Sequence, residues 1–62
     1  MGFRSHLSPN KKYQLLIDTG DCEKLLEALE KATEEGWTIS LAWGSTAGGV
    51  NMSYVLLKAP QQ

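Results

Sequence analysis

The chain has little of what a self-contained catalytic site draws on. Its 62 residues hold one cysteine, Cys22, so an internal disulfide and a cysteine zinc cluster are both excluded. They hold one histidine, His6, too few for a histidine metal site within one copy. The longest apolar runs, Leu15-Leu16-Ile17 and Val55-Leu56-Leu57, fall far short of the roughly 20 residues that span a bilayer. Residues 1–10 have no apolar core and do not read as a secretory signal. With a single thiol and no signal, the expected location is a reducing cytoplasm. Charge of one sign is also lacking. Six Lys and Arg against seven Asp and Glu leave a net charge of -1. That balance argues against a surface given over wholly to nucleic acid or acidic lipid, while leaving room for a local basic patch.

What remains is globular composition, 42% apolar and 21% charged, in a chain long enough for one small domain. Residues 1–10, rich in Ser, Pro and Asn, read as an N-terminal tail, residues 11–60 as the domain, and residues 61–62 as a C-terminal tail. Residues 11–18 alternate as a strand, with Tyr13, Leu15 and Ile17 on one side and Gln14, Leu16 and Asp18 on the other. Thr19-Gly20-Asp21 breaks it, and either Thr19 or Asp21 can accept the first N–H groups of a helix. The helix is expected over residues 22–35. Cys22, Leu25, Leu26, Leu29, Ala32 and Thr33 form its apolar stripe, and Gly36 stands where a left-handed C-cap belongs.

Trp37, Ile39, Leu41 and Trp43 alternate with Thr38, Ser40 and Ala42, which predicts a half-buried strand over residues 37–43. Residues 44–49 are turn residues and read as a hairpin loop. Residues 50–58 form a last strand. Its Val55, Leu56 and Leu57 put apolar groups on both faces, so it belongs inside the sheet. The expected fold is therefore α+β: a three-stranded β-α-β-β sheet in spatial order 1-3-2, with one helix packed on one face.

One helix shields one side of such a sheet, and a domain of this size has no disulfide or metal to help it. The uncovered side is expected to carry Leu16 and Ala42, with either Val55 and Leu57 or Tyr54 and Leu56 from the last strand, whose parity the alternation leaves open. Leu16, Ala42, Val55 and Leu57 are the expected interface of a homodimer or higher oligomer.

Several motifs invite a chemical reading. Asp18-Thr19-Gly20 resembles the Asp-Thr-Gly of retroviral-type aspartic proteases, but a helix follows at once where that fold needs a flap and more strands. A turn with a helix cap explains the same residues. Residues 44–49 look superficially like a phosphate loop but lack the Gly-Lys-Ser/Thr ending and lead into a strand. Ser45, Thr46 and the adjacent Trp43 remain candidate ligand contacts, since hydroxyls and a ring can hold an anion or an aromatic group. Arg4 and Lys12, with His6 and Lys11, make the N-terminus basic and are candidate phosphate contacts. Cys22 lies on the apolar stripe and reads as structural.

A Leu-rich helix with Leu25, Leu26 and Leu29 ends in Glu34-Glu35-Gly36-Trp37. A Tyr13-containing strand precedes it, and the chain closes on Tyr54-Val55-Leu56-Leu57-Lys58-Ala59-Pro60. This pattern resembles small domains of unknown function found in bacteria and phages. The resemblance implies a β-α-β-β fold and an oligomer, and transfers no catalytic residue.

No Ser/His/Asp set, carboxylate pair or metal set emerges, so the chain reads as non-enzymatic and without a cofactor. The leading expectation is a small cytoplasmic binding module acting as a homo-oligomer. It would hold a protein partner or a small anionic or nucleotide ligand between subunits, as a phage or mobile-element accessory protein does. Two alternatives stand beside it: a nucleic-acid-binding module using the basic N-terminal arm, and a minimal oligomeric enzyme with an intersubunit site.

Overall fold

A computed structural model describes residues 2–20 and 22–60. The elements run β1 (Phe3–Leu7), β2 (Tyr13–Thr19), α1 (Glu23–Glu34), β3 (Thr38–Ala47) and β4 (Val50–Lys58). One sheet holds all four strands in the order β1-β2-β4-β3, and every neighbouring pair is antiparallel. The expected three-stranded sheet is thus corrected to four strands. The fold remains α+β, and the doubly apolar β4 lies inside the sheet.

The added strand is β1, which replaces the expected N-terminal tail over residues 3–7. Turn chemistry creates it. The Ser8 hydroxyl donates to Asn10 Oδ1 (2.7 Å) and accepts from the Lys12 and Tyr13 amides at 3.2 and 3.0 Å. Asn10 Oδ1 accepts from the Lys12 amide too (3.1 Å), and Lys11 takes a positive φ of 61°. The chain therefore reverses at Ser8-Pro9-Asn10-Lys11. Arg4 comes to lie opposite Ile17, and His6 opposite Leu15. The expected tail at residues 61–62 lies outside the described residues.

Residues Leu16, Leu25, Ala32, Val55 and Leu57 form the core, with Phe3, Cys22, Ala28, Leu29 and Trp37 packed around them. The helix side of the sheet is set by Leu16 opposite Val55 and Gln14 opposite Leu57. This corrects the expected interface. Leu16, Val55 and Leu57 are buried under α1, and Ala42, opposite Val55, faces the same way from the sheet's margin. The uncovered side is the other one. It carries Leu15, Ile17, Leu41, Trp43, Met52, Tyr54 and Leu56.

The expectation that residues 37, 39, 41 and 43 share a face is also corrected. A register shift falls between Ile39 and Leu41. Ile39 sits opposite Leu57 on the helix side, whereas Leu41 and Trp43 sit opposite Leu56 and Tyr54 on the open side. A bulge gives one strand an extra residue and so flips the alternation beyond it. The two tryptophans are therefore divided: Trp37 packs on the core, and Trp43 stands on the open face.

Both ends of α1 are held by specific hydrogen bonds. At its C-terminus, Trp37 N donates to Ala32 O (3.0 Å) and Gly36 N to Thr33 O (3.1 Å), with Gly36 at φ 97°. This is the Schellman arrangement the glycine predicts. At its N-terminus the cap residue Cys22 is left-handed (φ 66°) and its side chain makes no capping bond. The cap comes instead from the sheet. Asp18 Oδ2 accepts from the Leu25 amide at 3.3 Å, and Asp18 is only 5% exposed. Asp18 thus supplies a cap beyond the two expected, Thr19 and Asp21. Thr19 accepts from the Gly2 amide (2.8 Å), which extends the β1–β2 pairing, and Asp21 lies outside the described residues.

Candidate functional site: the open face of the sheet

The open face can be read row by row across the four strands. One row is Arg4, Ile17, Tyr54 and Trp43. The next is His6, Leu15, Leu56 and Leu41. On the other side of the first row lie Thr19, Met52 and Ser45, and beyond the second lie Tyr13 and Lys58. The face is thus an apolar floor with cations on its margins.

Two features stand out on that floor. Trp43 and Tyr54 stack with ring centroids 5.0 Å apart and planes 7° from parallel. The Tyr54 hydroxyl donates to the Met52 sulfur at 3.4 Å, which fixes the ring's outer edge. Trp43 remains 44% exposed, so one side of the stack is open. Next to it lies a hollow lined by Gly2, Arg4, Ile17, Thr19 and Met52. A stacked ring pair beside an arginine-lined depression can take a flat group and an anion together.

Charge is segregated between the two sides of the molecule. All seven acidic residues fall within residues 18–35, accompanied by two lysines. The other four cations, Arg4, Lys11, Lys12 and Lys58, lie outside that stretch, where there is no acid. Asp18 faces α1 and is buried. Among the described residues, no carboxylate stands on the open face. The net charge of -1 is the sum of an acidic stretch, residues 18–35, and basic flanks on either side of it.

The five residues expected to touch ligand divide along these lines. Trp43, Ser45 and Arg4 are brought to the open face. Lys12 sits in the β1–β2 turn at the sheet's end. Thr46 braces the hairpin instead, its hydroxyl donating to Asn51 Oδ1 (3.0 Å) across the two strands. The expected loop over residues 44–49 is mostly strand, since β3 continues to Ala47 and the reversal is made by Gly48 and Gly49 at φ 58° and 80°. Sequence reasoning missed Tyr54 and Met52 as partners of Trp43. Their signal was the even-numbered face of residues 50–58, Met52, Tyr54, Leu56 and Lys58, whose orientation depends on where the helix sits.

Cys22 stays close to the core, its sulfur 3.4 Å from the Ser53 hydroxyl. Among the described residues no group of three or more His, Cys, Asp or Glu could hold a metal ion. No described helix is long and apolar enough to cross a membrane. Comparison of the chain with known protein families, characterised proteins and solved structures gave no match.

Proposed function

We propose that this protein is a non-catalytic binding module whose open sheet face takes a short segment of single-stranded nucleic acid. The observation that carries the reading is a face with no carboxylate among the described residues, with a half-exposed Trp43–Tyr54 stack in the same row as Arg4. Bases stack on aromatic side chains with little regard to sequence, at about 1–3 kcal/mol each, and cations along the path hold the phosphates.

The spacing of these groups favours a strand over a lone nucleotide. Arg4 and Trp43 are three inter-strand steps apart, about 14 Å at the usual sheet spacing. Lys58 lies four residues along β4 from Tyr54, about 13 Å further down the face. One nucleotide does not reach all three, whereas a strand of a few nucleotides does. The balanced net charge does not count against this, because the described acidic residues lie on α1 or its end, or, like Asp18, face it, on the far side of the sheet.

The test is fluorescence anisotropy of a labelled ten-residue oligothymidylate with the intact protein at about 50 mM salt. Binding is expected, weakened at least tenfold by Trp43→Ala and more weakly competed by thymidine monophosphate. Absence of binding at millimolar protein would overturn the reading. Equal competition by the mononucleotide would replace the strand with a free nucleotide as ligand.

A further inference from the structure

We infer that the β3 edge is a self-association surface, on which a second copy of this chain lays its own β3 antiparallel. The two four-stranded sheets become one of eight strands, with both helices on the same side. The inference starts from the contrast between the sheet's two edges. β1 has five residues and carries Arg4 and His6. Two copies meeting there would bring like charges together, which is how natural edges discourage pairing. β3 has ten residues, every one exposed, and none of them is charged or proline. Such a strand presents a row of unpaired backbone donors and acceptors with nothing to repel a partner.

Apolar groups flank this edge on both sides of the sheet. Leu41 is 56% exposed on the open side, and Ile39 is 55% exposed on the helix side. The helix leans the other way. Ala28, Lys31, Ala32 and Glu35 form a hollow with Phe3, Ser5, Gln14 and Leu16 of β1 and β2. Leu26 lies about 160° around the helix from Ala28, on the flank turned toward β3, and is 62% exposed. A partner on one face alone would leave the other face and the backbone edge bare. A strand added to the edge pairs the backbone groups and brings cover to both faces.

A copy of the same chain fits this edge better than a charged or unrelated segment. Identical antiparallel strands about a two-fold axis are self-complementary, and β3 has no charge with which to select a different partner. The bulge beyond Ile39 confines regular pairing to residues 41–47, so the axis falls near Gly44. Trp43 of both copies then stands on one face within two residues of the axis. Each Trp43–Tyr54 stack meets its mate, and the basic margins of Arg4 lie at the two far ends. Neither the pairing nor this placement rests on the proposed ligand reading.

The experiment uses ligand-free protein, so its outcome is separate from any nucleic-acid result. Light scattering is expected to give twice the 6.8 kDa chain mass. Amide exchange over residues 41–47 should slow as protein concentration rises. The double variant Ile39→Lys/Ala42→Lys, which leaves the open face untouched, is expected to give the monomer with unchanged circular dichroism. A 6.8 kDa species at every concentration up to millimolar would overturn the inference. So would a dimer that survives this double variant but is lost in Leu15→Lys, because that pattern means face-to-face packing of the open sides.

Discussion

Asp18 shows how one side chain joins two layers. Its carboxylate leaves the end of β2 and accepts the Leu25 amide in the first turn of α1. Negative charge there also meets the positive end of the helix dipole. The cap residue itself, left-handed Cys22, offers nothing to the exposed amides. Truncation in Asp18→Ala would therefore leave a buried N–H unpaired. The expected loss is about 1–2 kcal/mol in urea unfolding, with Asp18→Asn losing less because it keeps an acceptor. Equal stability of Asp18→Ala and the parent chain would show that the bond contributes nothing. In the sequence, Asp-Thr-Gly was legible as a turn with a cap. The part Asp18 plays in capping was not, because its carboxylate reaches from the end of β2 over the intervening turn to Leu25, seven residues on.

At the scale of elements, α1 and β1 mark two extremes of legibility. The helix was readable because its stripe, its acidic face and Gly36 all repeat the same instruction within residues 22–36. Even so, the stripe is rotated: Leu26 is exposed and Ala28 takes its place against the core. Gly36 does two jobs at the helix end. It holds φ 97°, and a Cβ there would stand 3.2 Å from Pro60 Cβ. Gly36→Ala is expected to cost about 1 kcal/mol or more, lowering the thermal midpoint by about 4–8 °C for each kcal/mol in a domain this small. A scanning calorimetry trace with an unshifted midpoint would contradict this. β1 was missed because Ser, Pro and Asn read equally as loose tail and as tight turn. What decides between them is whether Phe3 finds a core to pack on, and it does. The bulge in β3 was invisible for a related reason. Residues 37–43 alternate almost without error, and only pairing with β4 shows where the alternation is broken.

The whole molecule is polar in the electrical sense. Residues 18–35 hold every acid, and the rest of the chain holds only bases among its charged groups. A charged ligand should therefore approach the sheet side, and its binding should weaken with salt. With Arg4, Lys58 and Lys12 each meeting a phosphate of a single strand, log K should fall against log salt with a slope of about -2, near 0.7 per contact. Arg4→Ala is expected to reduce that slope by about 0.7 without altering the stacking of bases on Trp43. A salt-independent affinity would remove the phosphate contacts from the account. The expected interface failed at this scale as well. Leu16, Val55 and Leu57 were rightly read as apolar residues needing cover. Alternation says only that residues share a side, and it leaves open which side receives the helix.

The sequence by itself determined the small menu: one helix with its C-cap, strongly patterned strands on either side of it, a two-faced last strand that must be flanked, and an excess of apolar surface over what one helix can hide. These are local properties, set by spacing, turn residues and charge within short windows. The tertiary structure alone decided the parity of the sheet, the recruitment of residues 3–7 as a fourth strand, and the separation of Trp37 from Trp43. Each depends on which groups meet across strands far apart in the chain. A single residue of register moves a side chain from the buried face to the exposed one, so the same alternating sequence can build either a core or a binding surface.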